Sequence, residues 1–527
     1  MFGFGKKSTA ERTEPPVSEP AASEASGGTV SRARDRLMTA RRQAQRMYQA
    51  GKSDRLTGNW PTMPLPADEV VRRNQRVLVA RSREQAANND YARKFLKLCQ
   101  RNIVGPRGVQ LQAEPRGRDG AIDNDTADAV EAAWRRWGKP ENCDVTGRNS
   151  WRAIQNACVL SAAKDGEFIL RKIYGRQAGP WGFALQLIDP QRCPPDFEEV
   201  RRRDGTFIRA GIQFNQFGKP LAYYFTATEE EEADYSYGGK RFVRVPASEI
   251  VHGFTPEMVG QKRGLPWIAT ALWRLQMLKG FEDAAVVNAR TSASKGGFFE
   301  WQEGHGPDYE PDDEDELEMQ AEPGLFQELP PGLGFKEWNP QYPSGEYTMF
   351  VKSALRGVAS GMDVAYNTLA NDLENVNFSS IRQGALDERE AWKELQEWLI
   401  EQLVQPIFDE WLPRQLLAGR IRLNGRPLDP ALREVLSEVV WQPRRWQWID
   451  PRADVKAAID SKNNMLASPG QLIRDTGRDP DTVWREVAAD IEAMRAAGIP
   501  DEMIAAAMSK SIQQTSEGSN NGQAQQD

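Results

Sequence analysis

The sequence predicts an α+β protein made of several packed units, and three observations predict it. At 527 residues the chain exceeds what one hydrophobic core organises. Between 167 and 254, short runs rich in β-branched and aromatic residues alternate with Gly, Pro and Asp turns, the pattern of strands. From 266 onward, apolar residues recur at three- and four-residue spacing over lengths that only helices reach.

Taken in order, residues 1–30 are Ser-, Glu-, Ala-, Gly- and Pro-rich without apolar periodicity and are expected to be disordered, as is the polar tail 512–527. Residues 31–60 carry eight Lys or Arg (Arg32, Arg34, Arg36, Arg41, Arg42, Arg46, Lys52, Arg55) against Asp35 and Asp54, so 1–60 forms a flexible basic arm. Helical spacing predicts a helical pair over 67–104, stopped by Gly105 and Pro106, then helices at 125–137 and 150–164. Strands follow at 167–173, 183–189, 207–215, 221–226, 242–246 and 250–254.

A long helix is expected over 266–293, with Pro266 in the first helical position and Ile268, Leu272, Leu275, Leu278, Phe281 and Ala285 on one face. Periodicity then disappears for about fifty residues. From 301 to 330 there are eleven acidic side chains and no Lys or Arg, including the run Asp312, Asp313, Glu314, Asp315, Glu316. Helix returns at 346–362 with Val351, Leu355, Val358 and Met362 in a stripe. The polar stretch 363–377 leads to another long helix near Phe378, where Ser380 and Gln383 suit a capping box and Pro406 a kink or an end. A loop and strand region (421–448) precedes a helical block, 453–510, broken at 468–470 and 498–500.

Composition argues against catalysis. Only His252 and His305 are present, which removes most of the chemistry of general acid-base work, nucleophile activation and zinc ligation. There is no GxxxxGK[ST] phosphate loop, GxSxG, HExxH or CxxC pair, and His252 reads as a packed strand histidine. Cys99, Cys143, Cys158 and Cys193 read as four reduced, buried thiols. No stretch approaches the length of a membrane span and no signal peptide opens the chain, so a cytoplasmic setting is expected. The acidic run lacks the alternating ligands and turn glycine of a calcium loop, so no metal and no cofactor is expected. Sixteen Trp raise a competing reading, a carbohydrate-active or nuclease-type enzyme using the acidic insert. Trp392, Trp398 and Trp411 nevertheless sit at core-like helical spacing.

Specific segments in a fixed order carry a resemblance: NNDYARKFLKLCQRNIVG (88–105), ENCDVTG (141–147), DGEF (165–168), LIDPQRC (187–193) and AGIQFNQFGKPLAYYF (210–225). They continue with GFTPEMVGQKRGLPWIATALWRLQMLKGFEDA (253–284) and YTMFVKSALRGVASGMDVAYNTLANDLENVNFSSIRQGALDEREAW (347–392). From about 70 to about 500 the chain resembles lambda-type portal proteins of tailed bacteriophages. The resemblance implies a portal-protein fold with a mixed α/β wing (61–262), long stem helices (263–292 and 346–362), a small acidic clip (293–345) and a tunnel loop (363–377). A wing helix with strands (378–452) and a helical crown (453–511) complete it.

The same resemblance implies a homo-oligomeric ring, a dodecamer, at one capsid vertex of the virion, assembled in the host cytoplasm. It would be the channel for DNA packaging and ejection and would dock terminase, the major capsid or scaffold protein and head-completion or adaptor proteins. Double-stranded DNA passes such a channel without sequence preference. Phosphates held by Lys or Arg would act as a brake, so an acidic insert suits passage and the basic arm is expected away from the bore. The tunnel loop offers Asn367, Asn371, Asn375 and Asn377 as neutral groups for weak, exchangeable phosphate contacts, and Asp312, Asp313, Glu314, Asp315 and Glu316 are the partner-docking candidates.

Overall fold

A computed structural model describes residues 34–36, 38, 55, 58–117, 120–200, 202–227, 242–293, 297–301, 333–337, 346–374, 378–446 and 451–509. The chain divides into two units, Met1–Leu65 and Pro66–Asp527. In the first, Arg34, Asp35, Arg36 and Met38 are helical, and Arg34, Arg36 and Arg55 are exposed. The other basic residues of the arm, like 1–30 and 512–527, lie outside the described residues.

The second unit opens with the expected helical pair, α1 (Ala67–Asn88) and α2 (Asp90–Cys99), separated at Asn89, whose side chain accepts from the Tyr91 and Ala92 amides. α2 widens into a π-turn, Gln100–Val104, before Gly105 at φ 73° ends it. β1 (Gln110–Ala113), α3 (Asn124–Trp137) and α4 (Trp151–Asp165) follow. Asp123 and Ser150 are the caps of the two helices because each side-chain oxygen satisfies an orphan amide of the first turn.

Strands β2 (Glu167–Tyr174), β3 (Phe183–Ile188) and β8 (Ile250–Phe254) form an antiparallel sheet in the order β3-β2-β8. A second sheet, β4-β5-β6-β7, uses Phe207–Arg209, Ile212–Phe214, Pro220–Thr226 and Phe242–Pro246. The run expected as one strand, 207–215, is therefore two strands of a hairpin. Ala210 and Gly211 turn it at φ 47° and 79°, the left-handed pair that matches the twist of a two-residue hairpin.

α5 (Leu272–Ala293) begins six residues later than expected. Pro266 does not open it. Its carbonyl accepts from Ala269 and that of Ile268 from Ala271, so 266–271 is a chain of tight turns. The acidic insert is closed by a pair of antiparallel strands that carried no sequence signal, β9 (Gly297–Trp301) and β10 (Leu333–Glu337), in register from Leu333 against Trp301 to Glu337 against Gly297.

α6 (Glu346–Gly361) is followed by α7 (Tyr366–Ala370), then by α8 (Phe378–Leu399). α8 already includes Ser380, so Ser380 is not its N-cap and the expected capping box is not formed. The Gln383 amide instead donates to Asp387 one turn on, at 2.8 Å. A π-turn, Ile400–Val404, carries the chain into α9 (Gln405–Leu417). Pro406 lies in the first turn of α9, where its missing N–H is tolerated, so the helix does not end there. Short strands β11 (Arg422–Leu423) and β12 (Arg426–Pro427) precede β13 (Val439–Gln442), which pairs with β1 over more than three hundred residues of sequence. The last block is α10 (Pro451–Asn463), α11 (Pro469–Asp475), α12 (Pro480–Ala496) and α13 (Asp501–Ser509).

One large core joins α2–α4, β2, β3, α8 and α9, with Trp134 against Trp137 (ring centroids 4.7 Å apart) and Trp411 (5.0 Å). Trp392 and Trp411 are buried there, and the half-buried Trp398 donates to the Phe254 carbonyl at 3.2 Å, so these indoles are packing rather than sugar platforms. All four cysteines are free and buried, and burial pushes the Cys193 thiol up to about 11 and the Cys143 thiol to about 12. Among the described residues, no helix is long and apolar enough to cross a membrane.

Candidate functional site

α5 and α6 run antiparallel. Phe281 stacks on Tyr347 (5.5 Å) and meets Phe350 at a tilt (4.6 Å), the Thr270 hydroxyl donates to the Gly361 carbonyl at 2.8 Å, and Gly357 takes the Arg274 guanidinium where a Cβ would overlap it. Leu275, Leu278 and Ala285 are buried on the inner side of α5. Opposite them, at helical spacing, lies a second apolar stripe of Trp273, Met277, Gly280, Ala284 and Val287, all exposed. Trp273 is 70% exposed and Met277 57%, a heavy apolar load for a solvent face.

From Met362 the chain enters the stretch expected to be an uncommitted loop. Among the described residues it is folded: left-handed residues Asp363 (φ 53°) and Asn371 (φ 55°) bracket α7, and Val364 and Leu369 are buried beneath it. Polar latches hold it on three sides. Lys352 of α6 reaches Asp372 at 3.0 Å and Glu374 at 3.1 Å, Thr368 donates to Glu388 of α8 at 2.7 Å, and Lys94 of α2 donates to Asn371 at 2.7 Å. Asp372 also accepts from the Tyr366 hydroxyl at 2.7 Å. That bond and the Lys352 bond bring its carboxyl down to about 2.

Of the residues singled out in the sequence, Asn367 sits half-buried on α7 and Asn371 is the exposed left-handed residue ending it, already engaged by Lys94. Asn375 and Asn377 lie outside the described residues, as do Asp312, Asp313, Glu314, Asp315 and Glu316 between β9 and β10. Lys94, Lys352, Tyr366, Thr368 and Asp372 were missed. Charge alternation around 352–374 gives no warning of partners brought together by folding.

A buried ionic cluster roots α5 in the sheet. Arg263, fully buried, places Nε at 2.9 Å from both Glu167 oxygens and Nη2 at 2.6 Å from one of them. Its remaining donors go to the carbonyls of Pro190, Cys193 and Ala210. Glu167 also accepts from the Gln75 amide (3.0 Å) and the Gly264 amide (3.0 Å), and lies 2.9 Å from His252 Nε2. Burial alone would raise the Glu167 carboxyl, but the Arg263 charge and the His252 contact outweigh it and hold it at about 2. His252 Nδ1 faces the Tyr223 hydroxyl at 3.3 Å, so both ring nitrogens are occupied by packing partners.

Beside this cluster the chain crosses itself without side chains. Gly264 lies on the Gly166 carbonyl and Gly166 (φ 92°) on the backbone of Gly264 and Leu265, where any Cβ would overlap. The Trp267 amide donates to the Ala163 carbonyl across the same junction at 3.1 Å.

The described residues form a mixed helix-and-strand body with its one fully buried ion pair, Arg263–Glu167, at the root of the sheet. Among the described residues no group of three His, Cys, Asp or Glu is arranged to hold a metal ion. Residues 53–396 match the family described as phage portal protein, lambda family, and the chain belongs to that family. It is 31% identical over 464 residues, covering 86% of this chain and 88% of the relative, to the probable portal protein of Halomonas phage phiHAP-1. Portal protein B of Escherichia phage lambda is 21% identical over 475 residues, 83% of this chain and 88% of the relative. Among solved structures, a chain in the neck of an empty gene transfer agent particle aligns at a TM-score of 0.40 and 14% identity, over 80% of this chain and 98% of that one.

Proposed function

We propose that this chain is the ring subunit of a portal, the channel through which double-stranded DNA is packaged into and ejected from a phage capsid, and that it is not an enzyme. In this reading 61–262 is the wing, α5 and α6 are the stem, β9 and β10 with the acidic run between them are the clip, 363–377 is the tunnel loop and 453–511 the crown. The ring, a dodecamer, stands at a capsid vertex of the virion after assembly in the host cytoplasm. It docks terminase, then head-completion and adaptor proteins, and meets the major capsid or scaffold protein at its rim.

The observation that carries the ring is the second apolar face of α5. Trp273, Met277, Gly280, Ala284 and Val287 are exposed in one subunit, and a cyclic assembly covers such a face with an unlike face of the next copy. The latched stretch 363–374 is rich in carboxylates and amides and suits a wall past which a polyanion slides. Native mass spectrometry of the purified chain tests this. Rings of mass many times 59.3 kDa are expected, and monomer or dimer alone at micromolar concentration would sink it.

A further inference from the structure

Away from α5, α6 and the 363–377 stretch, a cleft of 1010 Å³ opens between the β1 segment, α3, the start of α4, the chain after β13 and the turn between α11 and α12. Its wall carries seven arginines and no lysine against three carboxylates, Glu131, Asp479 and Glu486. That excess has the opposite sign to the chain as a whole, whose net charge is −7.

Each of the three carboxylates has a partner, although Asp479 Oδ1 is buried without one. Glu486 pairs with Arg478, and Asp479 caps α12 by accepting from the Thr482 amide at 2.8 Å. Glu131 accepts from the Ala113 amide at 3.1 Å, and burial raises its carboxyl to about 7, so it is partly neutral near neutral pH. Arg107, Arg152 and Arg445 form no ion pair among the described residues, and Arg107 and Arg152 are exposed. Arg444 is held in place by the Arg101 carbonyl at 2.7 Å and by Asn102. It lies over the Trp446 ring at 5.7 Å, and Arg389 lies over the same ring at 5.8 Å.

Burial and then the neighbouring Arg101 and Arg389 charges lower the Arg444 pKa, so like charges are gathered here against their own repulsion. Arg107, Arg152 and Arg445, gathered beside Arg444, leave donors for an anion brought from outside. Planar guanidinium forks match phosphate oxygens two at a time.

From this cleft we infer a second nucleic-acid contact: it grips the phosphate backbone of duplex DNA, independently of the channel. The choice of DNA over other polyanions rests on the reading of the chain as a portal subunit. The cleft itself rests on the arginine cluster.

The test uses full-length protein and a covalently closed circular duplex, which cannot thread a closed ring. Binding is measured across a salt series for the parent, for Arg107→Glu with Arg152→Glu, for the milder Arg107→Ala with Arg152→Ala, and for a control, Arg426→Glu with Arg433→Glu. Unfolding midpoints and ring mass are recorded in parallel, and comparison is confined to variants that keep the parent midpoint.

Loss of two phosphate contacts should weaken circle binding by about tenfold or more at low salt, and should make the slope of log affinity against log salt shallower by about 2. The control should bind as the parent does. Unchanged affinity and slope in both cleft variants would overturn the inference, as would equal loss in the control. Displacement of the circle by an equimolar poly-glutamate peptide would also overturn it and make the cleft a site for an acidic protein. Protein that never forms rings yet keeps arginine-dependent circle binding would refute the portal reading and leave the cleft standing.

Discussion

Replacing Arg263 by Met removes the one guanidinium that, among the described residues, contacts the buried Glu167 carboxylate, and leaves it the Gln75 and Gly264 amides and His252. Breaking a buried pair from one side costs roughly 3–5 kcal/mol, because an uncompensated charge remains. The carboxyl gives a second route to the number. Its pKa falls from 4.5 to about 2 in the fold, which corresponds to about 3 kcal/mol of stability. Because the folded value is the lower one, this stability is complete above the unfolded pKa of 4.5 and is lost as pH falls from there through about 2. The parent should therefore weaken steeply below pH 4.5, whereas Arg263→Met should start about 3 kcal/mol weaker at pH 7 and show a flatter acid limb. Urea unfolding followed by tryptophan fluorescence at pH 7, 5 and 3.5 measures both. The double change Glu167→Leu with Arg263→Met removes both charges and should recover a large part of the loss. An Arg263→Met protein within about 1 kcal/mol of the parent at pH 7 would refute the role given to the cluster, since such a value belongs to exposed pairs.

Three other outcomes are expected. Trp273→Asp with Met277→Asp should leave the circular dichroism of the subunit unchanged and abolish rings in native mass spectra, because each side chain contributes roughly 2 kcal/mol at every subunit contact; intact rings would mean that α5 packs by another face. Converting Asp312, Asp313, Glu314, Asp315 and Glu316 to Asn or Gln should leave ring mass unchanged and weaken binding of a basic motor or adaptor surface, most at low salt; affinity that ignores both charge and salt would make the run a solvated loop. Deleting 371–375 removes the Lys94 and Lys352 latches and should permit ring and capsid assembly while lowering the DNA packaged or retained; full-length packaging with normal retention would show that the stretch does not meet DNA.

Most elements were legible because their signals are local. Helical spacing placed α1 to α4, and SPG and GIP marked two breaks of the last block, while the break between Asp475 and Pro480 carried no expectation. The misses have physical reasons. Ala210-Gly211 turns a hairpin, but alanine is a rare occupant of left-handed backbone, so 207–215 read as one strand. β1 and β13 support each other only across the fold, and each alone is four residues long. Ser380 looked like a cap because a polar residue followed by Gln three positions on is a fair cue, yet the helix had already begun at Phe378. The candidate site was legible as a polar stretch between helices, not as a latched one. The cation of each latch comes from α2 or α6, and Glu388 from α8, so none of these pairings is written in the stretch itself.

The crossing of Gly166 and Gly264 has a mechanical consequence. Joints made of interdigitated side chains yield under load, since each side chain has other rotamers to hop to. This one has none: backbone lies on backbone, tied by the Trp267–Ala163 hydrogen bond and clamped by Arg263 and Glu167. It holds the backbone that leads into α5 close against the β3-β2-β8 sheet. Compliance is left to the far end of the α5–α6 hairpin, where Phe281, Tyr347 and Phe350 meet through rings that can slide. The α5–α6 pair is thus expected to be held more firmly at this base than where Phe281 meets Tyr347 and Phe350.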